Sequence, residues 1–227
     1  MVKVKICGIT NWSDALGAVE AGADFLGFNF YRASSRYISP AAARRIVQRL
    51  PEKVASVGVF VNEPEREMLT IARRVGLDYV QLHGDETADV VSRMRRSVRV
   101  IKAVRVRESF RVAQLANFKR ASSILLDGFD SRLRGGTGKS FNWKLAKSAG
   151  RKRQIFLAGG LTPENAAEAV SAARPFAIDV CSGVESRPGK KDLARMRALV
   201  AAVRPVTTTT ATRPASSQRP AQRKRRT

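Results

Sequence analysis

Short, largely apolar runs alternate with amphipathic stretches along most of the 227-residue chain. The runs at 2–7, 24–30, 54–60, 79–82, 98–103, 123–126, 154–158 and 176–180 have strand length and are rich in Val, Ile, Leu and Phe. Between them, 13–21, 40–50, 65–75, 87–95, 109–118, 143–149, 163–173 and 191–203 carry apolar residues at helical spacing. Ser39-Pro40 supplies an N-cap followed by a first-turn proline, and Gly76 supplies a stop. Eight strand-helix units in about 200 residues predict a (βα)8 TIM barrel in the α/β class, one domain over 1–204. An open doubly wound sheet is the alternative.

The pattern ends near Pro205. Residues 205–227 have almost no apolar side chains with which to build a core, so they are expected to form a disordered basic tail. No apolar run approaches the roughly 20 residues of a membrane helix, which predicts no membrane partner. The first residues lack the apolar segment and small-residue cleavage site of a secretory signal, so the cytoplasm is expected. Cys7 and Cys181 are too few for a disulfide framework, and the single histidine, His83, is far from both in sequence, which argues against structural zinc. The formal charge is +23; the tail contributes six positive charges and no acid, leaving +17 on the rest. Such a body can attract anionic small molecules. Its basic residues are spread out rather than striped among aromatics, so no specific nucleic-acid partner is expected.

In a barrel of this kind the reacting groups stand at the C-terminal ends of the strands. Cys7 ends the first run, Asp127 follows the sixth, and Gln81 and His83 lie at the end of the fourth. A stabilised thiolate can act as a general base and a partly buried carboxyl as a general acid, so the pair could move protons between carbon and oxygen without a metal. The plainer readings are a core cysteine and a loop-capping aspartate. A glycine-rich loop, Arg134 to Trp143 (RGGTGKSFNW), follows Asp127, and the seventh strand ends in Ala158-Gly159-Gly160. Backbone N–H groups in such loops suit a phosphate. Lys139 does not make this a nucleotide-binding P-loop, because the spacing is wrong.

Eight collinear segments carry a resemblance: KICGIT from Lys5, GFNFY from Gly27 with SSRY from Ser34, VGVFVN from Val57, QLHG from Gln81, LLD from Leu125, GGTGK from Gly135, AGGLTPEN from Ala158 and DVCSGVE from Asp179. Over about 3–203 the chain resembles the phosphoribosylanthranilate isomerases of tryptophan biosynthesis. That resemblance implies an Amadori rearrangement of a phosphorylated aminoaldose into an aminoketose, with no metal or other cofactor. It implies Asp127 as general acid, Cys7 as general base, and Arg36 as the residue holding the anthranilate carboxylate. Gln81 and His83 lie at the same barrel face and could line the substrate pocket, a structural histidine with its bonds satisfied being the alternative. The phosphate would rest on the amides of Gly136, Thr137 and Gly138, of Gly159 and Gly160, and of Ser182 and Gly183. The small phosphosugar is the expected partner, while association with other enzymes of the pathway stays open.

Three departures stand out. Arg32, Ala33 and Ser35 replace a proline, a lysine and a second proline of the family loop, which bears on substrate affinity more than on reaction type. Asn142 stands where aspartate is common. Cys181 replaces a common serine and could be an oxidation liability beside the phosphate loop. The rivals are other phosphosugar barrels, above all the histidine-pathway isomerase, in which an aspartate is expected where Cys7 stands, and a basic binding protein acting through its tail.

Overall fold

Among the described residues, eight parallel strands pair each with the next and close on themselves, the last against the first. The computed structural model describes residues 1–107, 109–128, 143–150 and 153–204. The order is β1 (Lys3–Cys7), α1 (Trp12–Ala21), β2 (Phe25–Asn29), α2 (Pro40–Val47), β3 (Ala55–Phe60), α3 (Glu65–Val75), β4 (Tyr79–Leu82), α4 (Ala88–Met94) and β5 (Arg99–Arg105). A 3-10 helix (Val112–Phe118) leads to β6 (Ser123–Asp127), α5 (Trp143–Gly150), β7 (Ile155–Ala158), α6 (Ala166–Ala173) and β8 (Ala177–Val180). A small hairpin, β9 (Glu185–Arg187) and β10 (Lys190–Lys191), precedes α7 (Leu193–Val203). Closure excludes the open sheet. The tail proposed for 205–227 lies outside the described residues.

The strands are buried on both faces, which is why they read as largely apolar runs. Their outward side chains pack against the helices around Phe28, Phe60, Leu126 and Ile178. The inward ones form a separate interior cluster that includes Phe25, Val57, Ile101, Leu125 and Phe156. Phe25 meets Tyr79, Phe156 and Phe176 edge-on, with ring centroids 5.8, 5.2 and 6.4 Å away. This aromatic layer floors the barrel.

The helix ends follow the local chemistry read from the sequence. Ser39 caps α2 with Pro40 behind it, and Gly76 closes α3 in the left-handed conformation. Two elements differ from expectation. Of the segment 109–118 only Val112–Phe118 is helical, and it is 3-10 rather than α, because Val112, Leu115 and Phe118 recur every three residues and so share a face only at three residues per turn. The stretch expected as helix from 191 instead places Lys191 in β10, and α7 starts after Asp192, whose carboxylate accepts from Arg195 N at 3.0 Å. Asp14 of α1 anchors the hairpin, accepting from Lys191 N at 2.8 Å and from Lys190 Nζ.

Candidate active site

At the C-terminal end of the barrel a cavity of about 370 Å³ opens, and it gathers residues from the ends of seven strands, all but β5. Cys7 ends β1 and Asp127 ends β6, so the two expected proton-transfer groups line one chamber from opposite sides of the barrel. Gly27 of β2 makes room for the thiol: a Cβ there would lie 2.7 Å from Cys7 Sγ. A second cavity of about 470 Å³, beside β5 and the 3-10 helix, shares His83 but reaches neither Cys7 nor Asp127.

Two buried lysines set the charge around Cys7. Lys5 lies two residues earlier on the same inward face and is fully buried, bonded to Asp179 of β8 at 2.8 Å. Burial disfavours its charge, but Asp179 and Cys7 more than offset that, holding the ammonium above its ordinary value. Burial pushes the Asp179 carboxyl up to about 6 against the pull of Lys5. On the other side, Lys191 Nζ stands 3.8 Å from Cys181 Sγ and 3.0 Å from Glu185 Oε1. The Cys7 thiol is lowered well below its ordinary range, first by a hydrogen bond from Cys181 and then by the two lysines, despite burial. Cys181 is correspondingly pushed up as the donor of that bond. A buried ion pair is weak evidence for stability, since apolar replacements are often neutral or about 1–4 kcal/mol better. Its position beneath a thiol therefore points to chemistry.

Asp127 is held through a short chain. Gln81, almost fully buried, places Nε2 2.7 Å from His83 Nδ1, and His83 Nε2 lies 3.3 Å from Asp127 Oδ2. Gln81 Oε1 is buried without a partner in this orientation. Turning the amide over would exchange the donor and acceptor roles along the chain, and either orientation fixes the imidazole against the carboxyl. Gln81 and His83 thus line the cavity as expected. The Nε2 of Gln81 is engaged with His83 rather than simply facing the chamber.

Arg36 also reaches the cavity, but its fork is occupied. Nε donates to Glu185 Oε1 and Oε2 at 2.9 and 3.2 Å, and Nη2 to Oε2 at 2.7 Å. The Glu185 carboxyl is held below its usual range by Arg36 and Lys191, against the effect of burial. A substrate carboxylate would meet the outer edge of the guanidinium, not the Nε side. The loop that carries Arg36 is tied by Asn29 Nδ2 to Ser34 Oγ at 3.0 Å and by Arg36 N to the same oxygen at 3.1 Å, with Arg32 over the Tyr37 ring.

Another part of the rim is formed by the β7 and β8 loops. Gly159, Gly160 and Ser182 line the cavity. Gly183 packs so closely that a Cβ would fall 1.9 Å from the Leu161 carbonyl oxygen, so only glycine lets the two loops meet. Gly136, Thr137 and Gly138 lie outside the described residues. Sequence reading missed Lys5, Asp179, Glu185 and Lys191 as site residues. The signal was present for two of them: in strands of period two, 5 shares a face with 7 and 179 with 181, so charged residues stood at interior positions.

Comparison with known proteins bears on this site. Residues 4–202 match the family model described as N-(5'phosphoribosyl)anthranilate (PRA) isomerase. An N-(5'-phosphoribosyl)anthranilate isomerase of Trichlorobacter lovleyi is 51% identical over 201 residues, covering 88% of this chain and 97% of its own. The crystal structure of phosphoribosyl anthranilate isomerase from Thermotoga maritima superposes with a TM-score of 0.82 at 46% identity, covering 89% of this chain and 98% of that one. A phosphoribosyl anthranilate isomerase solved in complex with reduced 1-(o-carboxyphenylamino)-1-deoxyribulose 5-phosphate gives 0.80 at 44% identity, with the same coverage.

Proposed function

The chain belongs to the phosphoribosylanthranilate isomerase family of tryptophan biosynthesis, and from that footing we propose how its own residues perform the rearrangement. The reaction converts N-(5-phosphoribosyl)anthranilate into 1-(2-carboxyphenylamino)-1-deoxyribulose 5-phosphate. Asp127 protonates the ribose ring oxygen, and the ring opens to a cationic Schiff base. That cation acidifies the neighbouring carbon. The Cys7 thiolate removes the C2 proton, giving an enolamine that tautomerises to the ketone, and the two groups end with their protons exchanged. His83, steadied by Gln81, keeps the Asp127 carboxyl aimed at the ring oxygen. Lys5 and Lys191 keep Cys7 anionic between turnovers.

Binding divides between the two rims. The outer edge of Arg36 pairs with the anthranilate carboxylate, while the amides of Gly159, Gly160, Ser182 and Gly183, joined by those of Gly136, Thr137 and Gly138, receive the phosphate. Two free cysteines, one of them reactive, suit a reducing compartment such as the cytoplasm. The observation that carries this reading is the placement of Cys7 and Asp127 in one chamber, between a guanidinium and a glycine rim.

The test is substrate choice. Purified protein is offered N-(5-phosphoribosyl)anthranilate and, separately, the aminoaldose of the histidine pathway. The first should turn over and the second should not, because a thiolate replaces one of the two carboxylates expected for the second reaction. Turnover of the second substrate alone would overturn the assignment.

A further inference from the structure

The chain has only two thiols, Cys7 and Cys181, and the barrel brings them together from opposite ends of the sequence. The β1–β8 register pairs Lys5 with Asp179 and Ile6 with Val180, and Cys7 and Cys181 are the next residue on each segment. Cys181 Sγ packs on the backbone just after Cys7, 3.0 Å from where a Cβ at position 8 would stand. Both residues line the same cavity and both are partly accessible. Neighbouring strands run about 4.8 Å apart, within the Cα separation of about 4.4–6.8 Å that a disulfide spans. Hydrogen bonding between the thiols draws Cys7 down and pushes Cys181 up. A thiolate in a cationic surround is the form that attacks peroxides. The isomerisation needs one sulfur; the second has no step in it.

We propose that Cys7 and Cys181 form a reversible dithiol modification site, in which a hydroperoxide closes a Cys7–Cys181 disulfide and a cellular dithiol reopens it. The Cys7 thiolate attacks one peroxide oxygen, the O–O bond breaks, and the leaving oxygen takes a proton; with hydrogen peroxide the products are sulfenic acid and water. Cys181 sulfur then displaces the hydroxyl of that sulfenic acid, its own proton leaves with the hydroxyl as a second water, and the S–S bond forms. The two thiols have together lost two electrons to one peroxide. Closure removes the base, so isomerisation stops, and it also keeps Cys7 from advancing to the irreversible sulfinic acid. Only the loss of activity rests on the reading of Cys7 as base; the disulfide itself does not.

Reduced full-length protein is treated with hydrogen peroxide, quenched with an alkylating reagent, and examined by intact and peptide mass together with isomerase rate. The expected product has lost two hydrogens, yields one peptide pair joining positions 7 and 181, and resists alkylation. Its rate should fall by roughly 10²-fold or more, the loss expected for a missing base, and return with dithiothreitol. Cys181→Ser, compared with its own untreated rate, should instead accumulate sulfinic acid at Cys7 and fail to recover. Sulfinic acid at Cys7 of the unaltered protein with Cys181 still open to alkylation, or equal recovery in both proteins, would overturn the proposal. A disulfide that forms while isomerisation continues would leave the dithiol standing and remove Cys7 from the base role.

Discussion

Replacing Arg36 with methionine separates its two duties, because the guanidinium faces both a protein carboxylate and the cavity. Methionine keeps part of the apolar stem that packs over Gly8. A charge-assisted hydrogen bond to the substrate carboxylate contributes about 1.5–3 kcal/mol, so its loss should raise KM by roughly 10- to 150-fold. The carboxylate is remote from the bonds that change, so kcat should move little. The same replacement strips the fork from Glu185, whose side chain is only 4% exposed. Leaving a buried charge unpaired costs about 3–5 kcal/mol, but Lys191 stays 3.0 Å away, so the stability loss should fall below that range. The assay is the fall in substrate fluorescence across a concentration series, with urea unfolding in parallel. An unchanged KM, or a collapse in kcat at constant KM, would refute this placement of the carboxylate.

Lys5→Met removes a cation that holds Cys7 as thiolate. On the proposed mechanism activity needs the thiolate and is lost as pH falls through the thiol's value in the folded protein, so the acid limb of kcat/KM should move to higher pH. An unmoved limb would show that Lys5 does not tune Cys7. Lys5→Met alone strands Asp179 and should cost about 3–5 kcal/mol, whereas Lys5→Met with Asp179→Leu should recover stability without recovering the limb, as urea titration and pH-rate profiles will read. Gly183→Ala drives a methyl into the Leu161 carbonyl, so the β7 and β8 loops must part; thermal melts should drop by the equivalent of roughly 1–3 kcal/mol, and KM should rise with weaker phosphate binding. A chain ending after Arg204 should keep near-full activity, since 205–227 lacks core-forming residues. Arg204 itself must stay, because it bonds the carbonyls of Val2 and Gly22, each at 2.9 Å, and pairs with Asp24. A truncation that folds but loses most of its activity would show that the tail reaches the site.

Period and punctuation carried most of the fold. Ser39-Pro40 and Gly76 mark helix ends because capping is a local event, and the apolar runs mark strands because helices bury their outer face. The three-residue period of Val112, Leu115 and Phe118 was equally local, but an apolar spacing of three fits both a loose α-helix and a 3-10 helix. The hairpin was overlooked although Pro188-Gly189 is a turn signal, and Gly189 takes the positive φ such a turn requires. In the site, Cys7 and Asp127 drew attention by ending apolar runs, while Arg36 was singled out only through resemblance to a family. Glu185 and Lys191 were not legible, since their contacts join residues 36, 185 and 191 only after the barrel closes. The glutamate's hold on Arg36 is a tertiary fact that no local pattern encodes.

The central claim is that one thiol and one carboxyl supply the chemistry, and the most direct measurement compares Cys7→Ala and Asp127→Asn with the unaltered protein. Each is assayed by the loss of substrate fluorescence, corrected for spontaneous breakdown, after circular dichroism and thermal melts have shown the variants folded. An alanine methyl accepts no proton and an asparagine amide donates no carboxylic one, so each rate should fall by about 10²- to 10⁴-fold. Turnover near the unaltered rate in both folded variants would contradict the account.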